Sequence, residues 1–158
     1  MSLKDPTLLR QAALVGTRWI EAKDAAAAIT VRNPATGEIV GQVPRLGAAE
    51  TREAIAAAQA AQPAWAAKTA KERCAILRKW FDLMMANQDD LGRILTMEQG
   101  KPLPEAKGEI AYGASFIEWF AEEARRMYGD VIPGHQPDKR IIVLRQPIGV
   151  VAAITPWN

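Results

Sequence analysis

The stretch GVVAAI, Gly149 to Ile154, limits the possible folds more than any other part of the sequence. A strand that is apolar at nearly every position is covered on both faces, as in the parallel sheet of an α/β protein. Parallel neighbours must be joined by crossover connections, usually helices. Only TPWN follows Ile154. The expectation is therefore an α/β fold whose parallel sheet starts at 149–158 and is completed by further chain.

The residues upstream supply the other elements. ALVGTRWI and AITVRNPATGEIVGQVP are short, rich in Val and Ile, and broken by NPATG. Pro34 presets φ for a turn and Gly37 accepts a positive φ, so Ile29–Val31 and Glu38–Val43 are predicted to form a hairpin. About four helices follow. The first, AAETREAIAAAQAAQPAWAA, is expected to bury Ile55, Ala58, Ala61 and Trp65 and to kink or end at Pro63. The second opens with Thr69 and Glu72, a capping box, and carries Cys74, Leu77, Phe81 and Met84 on one face. The third begins with Asp89 and Asp90, which suit the positive end of a helix dipole, and stops at Gly100 before Lys101 and Pro102. The fourth, PEAKGEIAYGASFIEWFAEEARRMYG, is expected to bury Ile110, Ala114, Ile117, Phe120, Ala124 and Met127. After Gly129, two β-like pieces flank a loop with Pro and Gly, as in a two-stranded arm.

Composition excludes several functional classes. Lys and Arg number 20 against 18 Asp and Glu, interleaved along the chain, so no basic face is set up for nucleic acid. No apolar run reaches the ~20 residues of a membrane span, and the first residues lack the pattern of a secretory signal. The one cysteine, Cys74, fits a reducing cytoplasm and allows no internal disulfide. With a lone His135, no metal site is expected. Cys74 lies in an apolar helical stripe, where free cysteine acts as a small hydrophobe, and His135 lies in a solvated loop. Glu122 and Arg126 form an expected i,i+4 surface pair. Trp65, Trp80 and Trp119 fall in amphipathic helices and are assigned to core or interface packing.

In open α/β sheets, ligands bind beyond the carboxyl ends of the strands, and TPWN occupies that position. Pro156 fixes a turn, Trp157 supplies a flat apolar surface and Asn158 a neutral NH2 donor. Such a donor can stabilise a developing oxyanion. On chemistry alone, a strand followed by an ordinary turn is the commoner reading.

Three motifs add a resemblance. QPIGVVAAITPWN resembles the segment of the aldehyde dehydrogenase superfamily that leads into its Pro-Trp-Asn motif. LTMEQGKPLPEAKGEI resembles that family's helix-turn-helix around Glu-x-Gly-Lys-Pro, and VRNPATGEIVGQVP its N-terminal hairpin. Order and spacing agree over essentially the whole chain. Within the family, the helical segments are most similar to the bacterial succinate-semialdehyde branch, usually NADP-dependent, with the glutarate-semialdehyde branch nearest to it.

The resemblance implies a fold and a chemistry. The fold is the N-terminal part of the aldehyde dehydrogenase fold: a β-hairpin, about four helices, a β arm and the first strand of the parallel cofactor-domain sheet. Residues 1–128 would belong to the cofactor-binding domain, 129–148 to the oligomerisation arm and 149–158 to the dinucleotide-binding sheet. A cysteine thiolate attacks the aldehyde, an asparagine side chain and a backbone N–H hold the oxyanion, hydride passes to NADP or NAD, and a glutamate activates water on the thioester. Asn158 matches the oxyanion asparagine. Ile154, Thr155, Pro156 and Trp157, with Asn158, match residues lining the cofactor cleft. The family's nucleophile, general base and cofactor turn follow this motif, so the chain alone is expected to be inactive and to bind no cofactor. Its expected partners are a small aldehyde, in the complete enzyme, and other subunits. The alternatives are a glutarate-semialdehyde enzyme or a non-catalytic helical interaction module.

Overall fold

A computed structural model describes residues 2–155. The chain opens with a short 3-10 turn, Pro6–Leu8, which Asp5 caps by accepting from the Thr7 N–H. Two antiparallel hairpins follow: β1 (Ala12–Val15) with β2 (Arg18–Glu21), and β3 (Ala28–Arg32) with β4 (Ile39–Pro44). The second is the hairpin expected from NPATG. Asn33 closes its turn by accepting the Ala35 N–H through Oδ1 at 2.9 Å, and Gly37 takes φ +76°. Gln11 ties the two hairpins together, accepting the Gln42 N–H at 2.8 Å.

The helices are α1 (Ala48–Ala66), α2 (Ala70–Ala86), α3 (Gln88–Gln99) and α4 (Leu103–Glu123). α2 starts as expected: Thr69 accepts from the Glu72 N–H while the Glu72 carboxylate accepts from the Thr69 N–H. α3 stops as expected, with Gly100 left-handed at φ 84°. α4 packs on both α2 and α3, and α3 also touches β3. None of the helices is long and apolar enough to cross a membrane among the described residues.

Several expectations about the helices are corrected. α1 runs through Pro63 to Ala66. Proline removes one donor, but α1 is largely exposed here and water can serve the freed carbonyl. The face assigned to its core, Ile55, Ala58, Ala61 and Trp65, is exposed, while Ala54 and Ala57 turn inward. α4 ends at Glu123, short of the expected Gly129; along it and just beyond, Ile110, Ala114, Ile117 and Ala124 face inward as expected, but Phe120 and Met127 are exposed. The fully buried positions there are Ala106, Ala114 and Ala121, where close helix packing admits only small side chains. The expected Glu122–Arg126 pair is replaced by Arg126 with Glu123 at 2.8 Å. Trp65, Trp80 and Trp119 are too exposed to be core residues of this chain.

Beyond α4 the two-stranded arm is present as β5 (Asp130–Pro133) and β6 (Arg140–Val143), antiparallel and exposed throughout. The backbone passes closely at the open end of the arm, where a Cβ on Gly129 would collide with the Val143 carbonyl. The strand expected at Gly149–Ile154 is not formed. A strand is defined by its ladder partners, and no other described segment pairs with it. All sheets among the described residues are two-stranded and antiparallel.

Candidate functional site

Of the residues singled out at the end of the sequence, only Ile154 and Thr155 are among the described residues. Ile154 is 96% exposed and Thr155 is exposed. Pro156, Trp157 and Asn158 lie outside the described residues. Upstream, Arg145 to Gly149 border an open hollow shared with Trp65, Arg73 and Met127. Among the described residues nothing encloses Ile154 and Thr155, so these residues alone do not form a cleft that fits a dinucleotide. No group of three metal-ligating side chains occurs among the described residues. Cys74 is half-buried in the inner stripe of α2. His135 is exposed in the β5–β6 loop.

The motif EQGKP forms a defined corner between α3 and α4. Glu98 is half-buried, and burial raises its carboxyl above the ordinary range. Gly100 takes the left-handed conformation that ends α3, and a Cβ there would sit 2.9 Å from Pro34 Cγ. The corner is thus built against the β3–β4 turn. Lys101 reaches forward to Glu109 at 2.6 Å, with only 16% of its side chain exposed. Pro102 caps α4 and Pro104 lies in its first turn, where a missing N–H is harmless. Two motifs distant in sequence, NPATG and EQGKP, are therefore neighbours in space.

At the other end of α3, the structure reveals a polar knot. Asp89 pairs with Lys107, with Arg93 at 3.1 Å and, at 4.0 Å, with Lys4. Hydrogen bonds from Lys107 and then Arg93 hold its carboxyl down at about 2. Asp90 is 3% exposed, and its two oxygens accept the backbone N–H groups of Lys4, at 3.0 Å, and Asp5, at 2.7 Å. Sequence reasoning placed both acids at a helix dipole, and nothing local in DD distinguishes a solvated acid from one bound to a segment far upstream.

The fold can now be set beside known proteins. A model described as the aldehyde dehydrogenase family matches residues 19–158. The chain belongs to the aldehyde dehydrogenase family. It is 69% identical over 158 residues to a glutarate-semialdehyde dehydrogenase of Pseudomonas aeruginosa, covering all of this chain and 32% of that protein. It is 65% identical over 158 residues to an NADP(+) succinate-semialdehyde dehydrogenase of Escherichia coli, again covering all of this chain and 33% of the other. The crystal structure of a succinate-semialdehyde dehydrogenase from Burkholderia pseudomallei superposes with a TM-score of 0.88 at 62% identity, over 94% of this chain and 31% of that one. The chain spans about a third of the length of these aldehyde dehydrogenases.

Proposed function

We propose that this chain forms the N-terminal part of an NAD(P)-dependent aldehyde dehydrogenase that oxidises succinate semialdehyde to succinate, in a cytoplasmic setting suited to a thiolate nucleophile. The observation that carries the reading is the pair of relatives covering the whole chain: one acts on a five-carbon and the other on a four-carbon semialdehyde, at 69% and 65% identity. Both substrates are short aldehydes ending in a carboxylate. They differ by one methylene, which a binding site discriminates by only about 10–200-fold. Glutarate semialdehyde is the alternative substrate.

In this reading Asn158 donates its side-chain N–H to the oxyanion formed when a cysteine outside these residues attacks the carbonyl. Ile154 to Trp157 line the cofactor side of the cleft, in a dinucleotide-binding unit starting at 149. NADP is the expected hydride acceptor. Residues 129–148 form the arm between subunits. Their support is the arm's exposed apolar surface: Val131 is 78% and Ile142 65% exposed.

The test is steady-state kinetics on the full-length protein with both semialdehydes, an aldehyde of equal length lacking the carboxylate, NADP and NAD. The reading expects both semialdehydes to be oxidised, succinate semialdehyde better, and the uncharged aldehyde far worse. A preference for the uncharged aldehyde would overturn it. The 158-residue chain alone should give no turnover, since its sole cysteine is half-buried in α2. NADPH formation by the pure chain would count against that.

A further inference from the structure

Asp90 is the buried carboxylate at the start of α3, and its position in the helix would suit it to bind its own first-turn N–H groups. Its oxygens point elsewhere, to the N–H groups of Lys4 and Asp5, 86 and 85 residues upstream. Besides these two hydrogen bonds, the segment has a long Lys4–Asp89 contact at 4.0 Å and a few partly covered side chains, none of them buried. Lys4, Pro6 and Thr7 are exposed, and only Leu3, Asp5, Leu8 and Leu9 are partly covered. Asp5 in turn caps the 3-10 turn through Thr7, at 3.0 Å from its N–H and 2.7 Å from its hydroxyl. That turn leads directly into β1, which contacts β4 and α1.

We propose that Asp90 is the latch of an N-terminal strap, residues 2–9, and that the strap opens as one unit when this carboxylate lets go. Chain segments with few buried contacts open locally, at a free energy well below global unfolding. A charged acceptor with two backbone donors raises that opening energy more than neutral hydrogen bonds would. Opening also exchanges the burial of Asp90 for hydration, so the first turn of α3 is wetted in the same event. The role of Asp90 is positional and places no demand on substrate or cofactor.

The experiment is amide hydrogen exchange on the full-length protein, comparing wild type with Asp90→Asn and Asp90→Ala. Asparagine retains one acceptor oxygen and turns an NH2 group toward an N–H. Exchange at Lys4 and Asp5 should speed up roughly 10- to 100-fold, while amides around Ala114 keep their protection. Unchanged exchange at Lys4 and Asp5 in a folded variant would overturn the latch. A second comparison removes residues 1–9. In that shortened protein Asp90→Asn should leave exchange in the first turn of α3 unaltered, because the interaction is already absent; an equal effect with and without the segment would overturn the proposal. If Asp90→Asn prevents the complete protein from folding, the shortened variant decides. The latch requires it to fold as well as its Asp90 parent, and failure there would also overturn it.

Discussion

The α3–α4 pair and the stretch from 129 to 155 are both rich in apolar residues, yet their environments are opposite. In α3 and α4, Leu95, Ala106, Ala114 and Ala121 are buried, and the one buried carboxylate has two donors. In the arm the backbone is paired but the side chains are not covered: Val131, Ile142 and Leu144 are 78%, 65% and 75% exposed. In residues 149–155 there is not even a ladder. A hydrophobic pattern states that a segment will be covered and does not state by what. The helices are covered by one another, and substitutions there should act on stability. Substitutions in the later stretch should act on association or chemistry.

The largest expected effect lies just beyond that later stretch in the sequence. In the full-length enzyme, Asn158→Ala should lower kcat by about 10²–10³-fold with little change in melting temperature, the size usual for one oxyanion donor. A near-normal kcat, with acylation or hydride transfer shown to be rate-limiting, would leave Asn158 without a chemical role.

Ala114→Leu tests the opposite region. Ala114 is fully buried on α4, and overfilling such a position costs about 1–3 kcal/mol through displaced neighbours. Denaturant unfolding should show this loss, whereas a neutral result would mean that the helices separate easily. Gly100→Ala should cost about 1–2 kcal/mol for the left-handed backbone alone, with additional crowding from Pro34. The same change at Gly108, where a Cβ meets nothing within 4 Å, should not destabilise.

These positions show how much was legible beforehand. The NPATG hairpin, the Thr69–Glu72 box and the Gly100 stop were readable because each is decided by residues within one turn of the chain. The arm was readable from its two β-like pieces around Pro and Gly. The face of α1 was not, because a helix with so many alanines presents similar faces in several directions. Ala106 and Ala121 were missed because close approach selects for small size, which a hydrophobicity pattern undervalues. Asp90 was missed because its partners lie 85 residues away or more. The run GVVAAI correctly signals an apolar segment, but strand formation depends on partners that the described residues do not provide. Membership of the aldehyde dehydrogenase family was legible in the motifs, whereas the candidate residues Pro156, Trp157 and Asn158 lie outside the described residues.

The arm sharpens the comparison from its other side. Ile142→Ser should leave the stability of an isolated subunit within about 0.5 kcal/mol, as for exposed positions generally. It should weaken subunit association by about tenfold, the loss of roughly one half-buried aliphatic side chain. Sedimentation over a concentration series separates the two effects. Unchanged association would remove the arm from the subunit interface.

The smallest effect is a pH dependence located in the polar knot. Hydrogen bonds from Lys107 and then Arg93 lower the Asp89 carboxyl from 3.8 to about 2. Below its unfolded value the unfolded chain takes up a proton that the folded chain refuses, so folding stability falls as pH drops from about 4 toward 2. Above pH 4 the contribution is complete and flat. Asp89 is partly exposed, with 29% of its side chain accessible, so screening by water and salt keeps the contribution modest. Asp89→Asn should therefore destabilise the protein slightly at neutral pH and make the acid limb of its stability profile shallower between pH 4 and 2. Added salt should shrink the difference. Denaturant midpoints for both proteins across that range provide the measurement. If the two profiles stay parallel down to pH 2, the ion pairs of Asp89 do not contribute to folding, and the hold of the knot on the strap rests on Asp90 alone.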